Sequence, residues 1–350
     1  MHIKFILPRF HTNMFYPTKI LLENNYKISI DCSFKGFNEN YSYLKPKIIS
    51  ESFISKFIKI LIGSKKNKMN KYYLPNLALY MEYFKNNLPD VIIVRPYNTL
   101  FFLYVLLLSF IFNRKIIIYN QINIEDYKNF KIIKKIFYKI FTSIFKIKIV
   151  SPLFIKSKMP KNYYLLPFVC EKNYKKKEKI YDFLLVGKLY KKKNFPLFLK
   201  AIGELKKKYK VKLVIEISNE EHKKEYKKII KVIRFYKLER YISISKNVNH
   251  KKINNFYDIS KCFVLATDKD LAPVSIIEAL SRGCYVLSSN SCGTRNYFTN
   301  NKNGFIFKTN NLNSLKLNIK KVSKIYHKKI IQFNYDKNFF INNFNKIVKN

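Results

Sequence analysis

The chain has 350 residues, with 68 Lys and Arg against 22 Asp and Glu, for a formal net charge of +46 at pH 7. At roughly 150 residues per domain this is the length of about two domains. The 48% of hydrophobic residues supply two cores, which excludes a disordered chain and a disulfide-stapled miniprotein. Charge of this size points to polyanions: nucleic acid, an anionic membrane surface or phosphorylated substrates. The lysines also have a compositional reading. Only seven of the basic residues are Arg, Trp is absent, and Asn, Ile, Tyr and Phe are abundant, all residues of A/T-rich codons. A dedicated nucleic-acid reader would use Arg for bidentate contacts, and no zinc-finger or basic-zipper pattern is present, so no specific nucleic-acid partner is expected.

The N-terminus, Met1-His2-Ile3-Lys4-Phe5-Ile6-Leu7-Pro8, lacks the small-residue cleavage site of a signal peptide and reads as a first strand. Strands are predicted at 3–7, 27–31, 91–95, 115–119 and 146–150, and helices at 15–24, 73–87, 98–112 and 128–144. The stretch 32–72 reads mostly as loop, with one amphipathic helix near 52–62. The apolar run from Leu100 to Phe112 is shorter than the roughly 20 residues that span a bilayer, so it reads as a buried helix or a shallow membrane contact. The Lys-rich stretch 160–180, with Pro160, Pro167 and Lys175-Lys176-Lys177, reads as an interdomain linker.

The second half repeats the rhythm, with strands at 182–186, 211–215, 241–245, 262–265, 284–288 and 304–307. Helices fill 195–208, 220–234, 250–258, 274–282 and 311–326. Continuous apolar strands alternating with helices imply parallel sheets covered on both faces. The expected fold class is α/β, with two similar open parallel-sheet domains facing across a cleft and ligands at the carboxyl ends of the strands. Five cysteines, at 32, 170, 262, 284 and 292, form no C-x-x-C pair, which fits a reducing, cytoplasmic setting. No metal site is expected, because His2, His11, His222, His250 and His327 have no zinc-ligand spacing.

The most informative stretch runs from Leu265 to Asn296. Asp270 follows a buried strand, Pro273 suits the first turn of a helix, Glu278 interrupts the apolar run Val274 to Leu280, and Gly283 stops the helix. A buried carboxylate is costly unless it is paired or hydrogen-bonded. Sugar hydroxyls would satisfy Glu278; read structurally, Asp270 caps a helix and Glu278 bonds to backbone. Asp268-Lys269-Asp270 is a superficial echo of a two-aspartate metal motif. If it bound a cation, oxygen ligands would favour magnesium or manganese.

This stretch resembles the signature of the nucleotide-sugar-dependent glycosyltransferases of the GT-B fold, the retaining class called glycosyl transferases group 1. Asp270, seven residues and Glu278 stand for the paired glutamates, followed by Ala279-Leu280-Ser281-Arg282-Gly283 and the strand Cys284 to Leu287. Cys292-Gly293-Thr294 resembles the family's Gly-Gly loop, and Asn303-Gly304-Phe305-Ile306-Phe307 its Asn-Gly strand. Val186-Gly187-Lys188-Leu189 with Lys193-Asn194 resembles its Gly-Arg-Leu…Lys-Gly loop.

The resemblance implies Rossmann-like domains at 1–165 (acceptor side) and 166–332 (donor side), with 333–350 as a C-terminal helix crossing back. It implies a UDP- or GDP-sugar donor as substrate, no permanently bound cofactor, a metal-independent centre, and a glycan or lipid-linked acceptor. Lys188 and Lys193 would contact the donor diphosphate, Asp270 the transferred sugar and Glu278 the ribose hydroxyls. N–H groups around Val274 and Ser275 would receive phosphate oxygens, and the loop of Gly293 and Thr294 would approach the donor. Asp270, Glu278 and Lys193 are the catalytic candidates, and Arg9 and His11 after the first strand are the acceptor-side candidates.

The chain departs from the family at several points. Asp270 is one methylene shorter than the family's glutamate, Asn296 replaces an acidic residue, and Asn120-Gln121 stand where many relatives have a histidine. Glycines that often follow two of the C-domain strands are replaced by Glu216-Ile217-Ser218-Asn219 and Lys246-Asn247. The segment 128–150 reads either as a helix packed on its own sheet or as an interfacial helix drawn to anionic lipid at the inner face of a membrane, with Leu100–Phe112 nearby. The alternatives are a related epimerase or phosphorylase and a basic nucleic-acid- or membrane-binding protein. The oligomeric state is not readable from the residues.

Overall fold

The computed structural model describes residues 1–36, 39, 41–61, 72–95, 99–121, 132–153, 162–171, 177–325 and 334–349. They form two compact units, Met1–Phe168 with Lys337–Asn350, and Val169–Asp336.

The first unit runs β1 (His2–Leu7), α1 (Thr12–Glu23), β2 (Lys27–Cys32), β3 (Lys47–Ile48), α2 (Phe53–Leu61), α3 (Leu77–Asn86), β4 (Val91–Val94), α4 (Leu100–Ile111) and β5 (Lys115–Tyr119). It continues with α5 (Ile132–Lys139), which passes into a π-helical turn (Ile140–Ile144), then β6 (Lys148–Ser151) and β7 (Tyr163–Leu165). The seven strands are parallel, in the order β3-β2-β1-β4-β5-β6-β7. Every residue of β4 is buried, as a strand covered on both faces requires. Helices α3, α4 and the π turn share one core on one face of the sheet, where Phe84, Phe102 and Phe141 meet Ile6, Ile92 and Ile149. Helix starts are set by side chains: Asn76 accepts from the Leu79 N–H, and Thr99 from the Phe102 N–H.

One polar cluster is sealed into this sheet. Lys4 Nζ lies 3.6 Å from Asp31, both side chains fully buried, and the Tyr80 and Tyr83 hydroxyls each donate to Asp31 at 2.9 Å. Burial lowers the Lys4 pKa against the opposing pull of Asp31.

The second unit runs β8 (Tyr181–Lys188), α6 (Phe195–Gly203), β9 (Val211–Glu216), α7 (Glu220–Phe235), β10 (Ile242–Lys246), α8 (His250–Asp258) and β11 (Ser260–Leu265). It ends with α9 (Ser275–Ser281), β12 (Tyr285–Ser289), β13 (Gly304–Phe307) and α10 (Leu312–Ile325). Its six parallel strands are ordered β10-β9-β8-β11-β12-β13. The last helix, α11 (Lys337–Lys349), belongs to the first unit. There the Tyr26 hydroxyl donates to Asn345, and Lys148 and Lys115 donate to its final carbonyls at Ile347 and Val348 (2.6 and 3.3 Å).

The stretch 160–180 is not simply a linker. Tyr163–Leu165 forms β7 on the edge of the first sheet, and Leu166 and Phe168 to Cys170 are buried. A three-residue strand is too short to show as a periodic pattern, and its burial comes from tertiary packing. Lys175 and Lys176 lie outside the described residues, as do Lys131 of the proposed interfacial helix and Phe333.

Candidate active site

In the second sheet the order turns between β8 and β11. At such a switch point the connections leave on opposite faces, and in open α/β sheets it is at the carboxyl ends of the strands there that ligands bind.

The loop after β8 holds a 3-10 turn, Lys191–Lys193, closed by Asn194 in the left-handed region at φ 48°. The Asn194 amide donates to Asp268 and Asn310, both at 2.8 Å. The Lys192 carbonyl accepts from the Thr267 hydroxyl and from the Asp268 N–H, each at 2.8 Å. The loop after β8 is thereby laced to the loop after β11. The consequence is a direct contact: Lys193 Nζ donates to Asp270 Oδ2 at 2.5 Å, with the two side chains 16% and 17% exposed.

Asp270 is also fixed through its backbone, which pairs with Cys292 in a parallel bridge and accepts from the Gly293 N–H at 2.8 Å. A Cβ on Gly293 would stand 1.8 Å from the Leu271 carbonyl oxygen, so only glycine lets these loops touch. The tight passage expected of Gly293 is therefore made against the Leu271 backbone. Thr294 is buried, and its hydroxyl donates to the Pro273 carbonyl at 3.1 Å. That bond holds the loop before α9 in place. Pro273 itself is not in the first turn. The helix begins at Ser275 with Val274 as its cap, and the Val274 carbonyl accepts from the Ile277 and Glu278 N–H groups. The Pro273 carbonyl goes to a side chain instead of closing a helical turn.

Glu278 projects from α9 towards α8, where the fully buried Tyr257 donates its hydroxyl to Oε2 at 3.2 Å. Burial, reinforced by this carboxylate, pushes the Tyr257 phenol well above its ordinary pKa, which keeps it a donor. One turn on, Arg282 reaches both carboxylate oxygens of buried Asp258 at 3.1 and 3.2 Å. Gly283, at φ 73°, then closes α9, and the Cys284 N–H returns to the Ala279 carbonyl.

Lys188 has a different partner. It sits opposite Glu216 in the β8–β9 register, and its Nζ lies 2.9 Å from Glu216 Oε1, with the lysine side chain 45% exposed. In the first unit, Arg9 lies 3.4 Å from Glu39, and His11 caps α1 through its backbone, accepting from the Met14 N–H. Arg95, at the end of β4, is half-buried against a small crevice lined by Leu7, Ser33, Thr99 and Phe101; burial, and then Arg9 nearby, lower its pKa.

The site residues named from the sequence thus separate into three local arrangements in the second unit: Lys193 with Asp270, Lys188 with Glu216, and Glu278 with Tyr257. Tyr257 was not legible beforehand, since nothing in its spacing links it to a glutamate 21 residues on. Asp268 bonds Asn194 and Asp270 bonds Lys193, so the two-aspartate echo is occupied by protein partners. Among the described residues no group of three or more His, Cys, Asp or Glu side chains converges to hold a metal ion.

Residues 170–336, nearly the whole second unit, match the family model described as "Glycosyl transferases group 1". No curated protein matches the sequence. Solved structures similar along the whole chain include a glycosyltransferase from Rickettsia africae ESF-5, with 16% identity, a TM-score of 0.71, and coverage of 99% of this chain and 96% of that one. HepE from Anabaena, solved with UDP-glucose, is 12% identical with a TM-score of 0.69, covering 100% and 97%. The lipopolysaccharide outer core galactosyltransferase WaaB is 14% identical with a TM-score of 0.66, covering 100% and 99%. At these identities the likeness is one of fold, and it extends over both parallel-sheet units. Residues 170–336 thus match the glycosyl transferases group 1 family, and the chain as a whole has the GT-B fold of these solved glycosyltransferases.

Proposed function

We propose that the chain transfers a sugar, with retention of anomeric configuration, from a UDP- or GDP-sugar to a hydroxyl of a glycan or lipid-linked acceptor in cell-surface polysaccharide or glycolipid synthesis. The observation that carries this reading is the Lys193–Asp270 contact at the β8/β11 switch point. A diphosphate arriving there offers Lys193 a more highly charged partner, and Asp270 is then released to accept from a sugar hydroxyl. Lys193, with Lys188 at the end of β8, stabilises the charge that develops on the leaving diphosphate, the task a divalent cation performs elsewhere. Glu278, held by Tyr257, accepts from the ribose hydroxyls. Val274 and Ser275 lie at the start of α9 beside this loop and offer backbone N–H groups to phosphate oxygens.

In the transfer, the bond from the anomeric carbon to the diphosphate oxygen breaks and its electron pair leaves with the diphosphate. The acceptor oxygen bonds to the same face of that carbon, and its proton passes to a diphosphate oxygen. Arg9 and His11 are the acceptor-side residues in this reading. The fold-level likeness to HepE, solved with UDP-glucose, and to WaaB, named as a lipopolysaccharide galactosyltransferase, supports the donor and acceptor classes.

The test is a transfer assay over a panel of nucleotide sugars, with the anomeric configuration of the product read by NMR. Turnover should fall at least tenfold in Lys193→Ala and in Glu278→Gln. Full activity in both variants would remove these residues from the site, and an inverted product would remove the retaining mechanism.

A further inference from the structure

We propose that the helical layer of the first unit, with α2 at its margin, docks on a lipid bilayer carrying anionic headgroups. The proposal is independent of the donor reading, because every residue it uses lies in the other unit.

Helix α2 is turned inside out. Its buried residue is Ser55, whose hydroxyl is held among the Glu51 carboxylate, the Tyr72 carbonyl and the Leu74 N–H. Its apolar side chains face outward, Phe53 81% exposed and Ile60 76%, with Ile54, Phe57 and Leu61 also exposed. A helix in water would bury that face and expose the serine.

Helix α4 repeats the anomaly in another form. Phe102, Val105 and Leu108 fill the core, yet Leu103, Leu107, Phe110 and Ile111 form an exposed apolar stripe at i, i+4, i+7 and i+8. A helix apolar all round normally lies in a protein interior or in lipid. The stripe continues: Phe110 packs against Phe145 with ring centroids 5.5 Å apart, next to exposed Ile144 and Ile140. On the other flank the Tyr104 hydroxyl reaches the Leu77 carbonyl of α3, and the Ser52 N–H before α2 reaches the Leu74 carbonyl before α3. Since α3, α4 and the π turn pack on one face of the sheet, their outer residues form one surface. Among the described residues, every exposed large apolar side chain except Ile180, Phe235, Leu271 and Leu317 belongs to the first unit.

Charge identifies the occupant. Helices α2, α4 and α5 and the π turn contain no Asp or Glu, and Lys56, Lys135, Lys139 and Lys146 stand in or beside them; Lys59 is paired with Glu51, and α3 carries Glu82 with Lys85. Apolar side chains flanked by lysine suit the headgroup boundary of an anionic leaflet. A second copy of the chain would bring lysine against lysine. Among the described residues no helix is long and apolar enough to cross a membrane, so the surface would lie on the bilayer.

The test is flotation of the full chain with phosphatidylcholine vesicles, with and without phosphatidylglycerol. Binding is expected to the phosphatidylglycerol vesicles and to weaken with salt. The triple variant Phe53→Ser/Phe57→Ser/Ile60→Ser should lose at least about tenfold in partitioning, since each exposed side chain leaves lipid for water. Its thermal midpoint and nucleotide binding should stay unchanged. Lys56→Gln/Lys139→Gln should lower binding to the anionic vesicles. Folded wild-type protein that fails to float with phosphatidylglycerol, or a triple variant that floats as well as wild type, would overturn the proposal. So would a concentration-dependent dimer abolished by the triple variant without vesicle binding, which would make the face an interface between copies.

Discussion

Lys193 and Asp270, 77 residues apart in sequence, meet at 2.5 Å because the Lys192 carbonyl ties the loop after β8 to Thr267 and Asp268 in the loop after β11. The two groups share one local site, and substituting each has a different consequence. Lys193→Ala removes a charge-assisted contact of about 1.5–3 kcal/mol, so affinity for a nucleoside diphosphate should fall about 10- to 100-fold by calorimetry. Asp270→Asn should keep that affinity and lose sugar transfer. Lys188→Ala, at an exposed pair with Glu216, should cost less than about tenfold.

The Glu278–Tyr257 contact gives a second expectation. Tyr257→Phe leaves a half-buried carboxylate without its phenolic donor, at a cost of about 1–3 kcal/mol. At the second unit's size this is a thermal midpoint lower by several degrees, roughly 2–4 °C per kcal/mol. Nucleotide affinity should drop with it. Glu278→Gln keeps an acceptor for Tyr257, so the midpoint should hold while donor binding weakens. A midpoint unchanged in Tyr257→Phe would show that the phenol does not support Glu278.

Gly293 is a purely steric prediction. Alanine there meets the Leu271 carbonyl oxygen at 1.8 Å, so the 270–274 loop must move. Destabilisation of about 1–3 kcal/mol or more is expected in denaturant unfolding, together with loss of the Asp270 geometry. Wild-type stability in Gly293→Ala would mean that the loops are not in contact.

The five cysteines are all buried and free. Burial pushes the Cys32 and Cys284 thiols from 9.0 up to about 12. Between those values the unfolded chain loses thiol protons that the folded chain keeps, so stability should fall as pH rises above about 9. Native protein at pH 8 should resist alkylation, and denatured protein should take up five equivalents by mass spectrometry.

In the first unit, Lys4→Met leaves Asp31 buried without its cation and should cost about 3–5 kcal/mol in unfolding free energy. Adding Asp31→Leu should recover part of that loss. No recovery in the double variant would show that the stranded Asp31 charge is not the source of the loss.

Much of this was legible in the sequence. Runs such as Val91-Ile92-Ile93-Val94 and Tyr285-Val286-Leu287 announce parallel strands, and Asp270, Glu278 and Gly293 lie on the expected loop, helix and turn. What the pattern could not show depends on tertiary pairing. Lys193 with Asp270, Tyr257 with Glu278 and Lys4 with Asp31 each join elements far apart in the chain. The edge strand Tyr163–Leu165 was hidden inside a Lys-rich stretch, because three residues carry no period. The outward face of α2 was equally hidden: amphipathicity shows that a helix has an apolar side and leaves open which way it faces.

The most direct test of the central claim is titration of the purified chain, and of Lys193→Ala, with UDP, GDP and the corresponding monophosphates, followed by calorimetry and thermal shift. The account predicts that one diphosphate binds and raises the wild-type midpoint, that its monophosphate binds far more weakly, and that Lys193→Ala loses most of the difference. Folded wild-type protein that binds neither diphosphate, or a Lys193→Ala variant that binds as tightly as wild type, would contradict it.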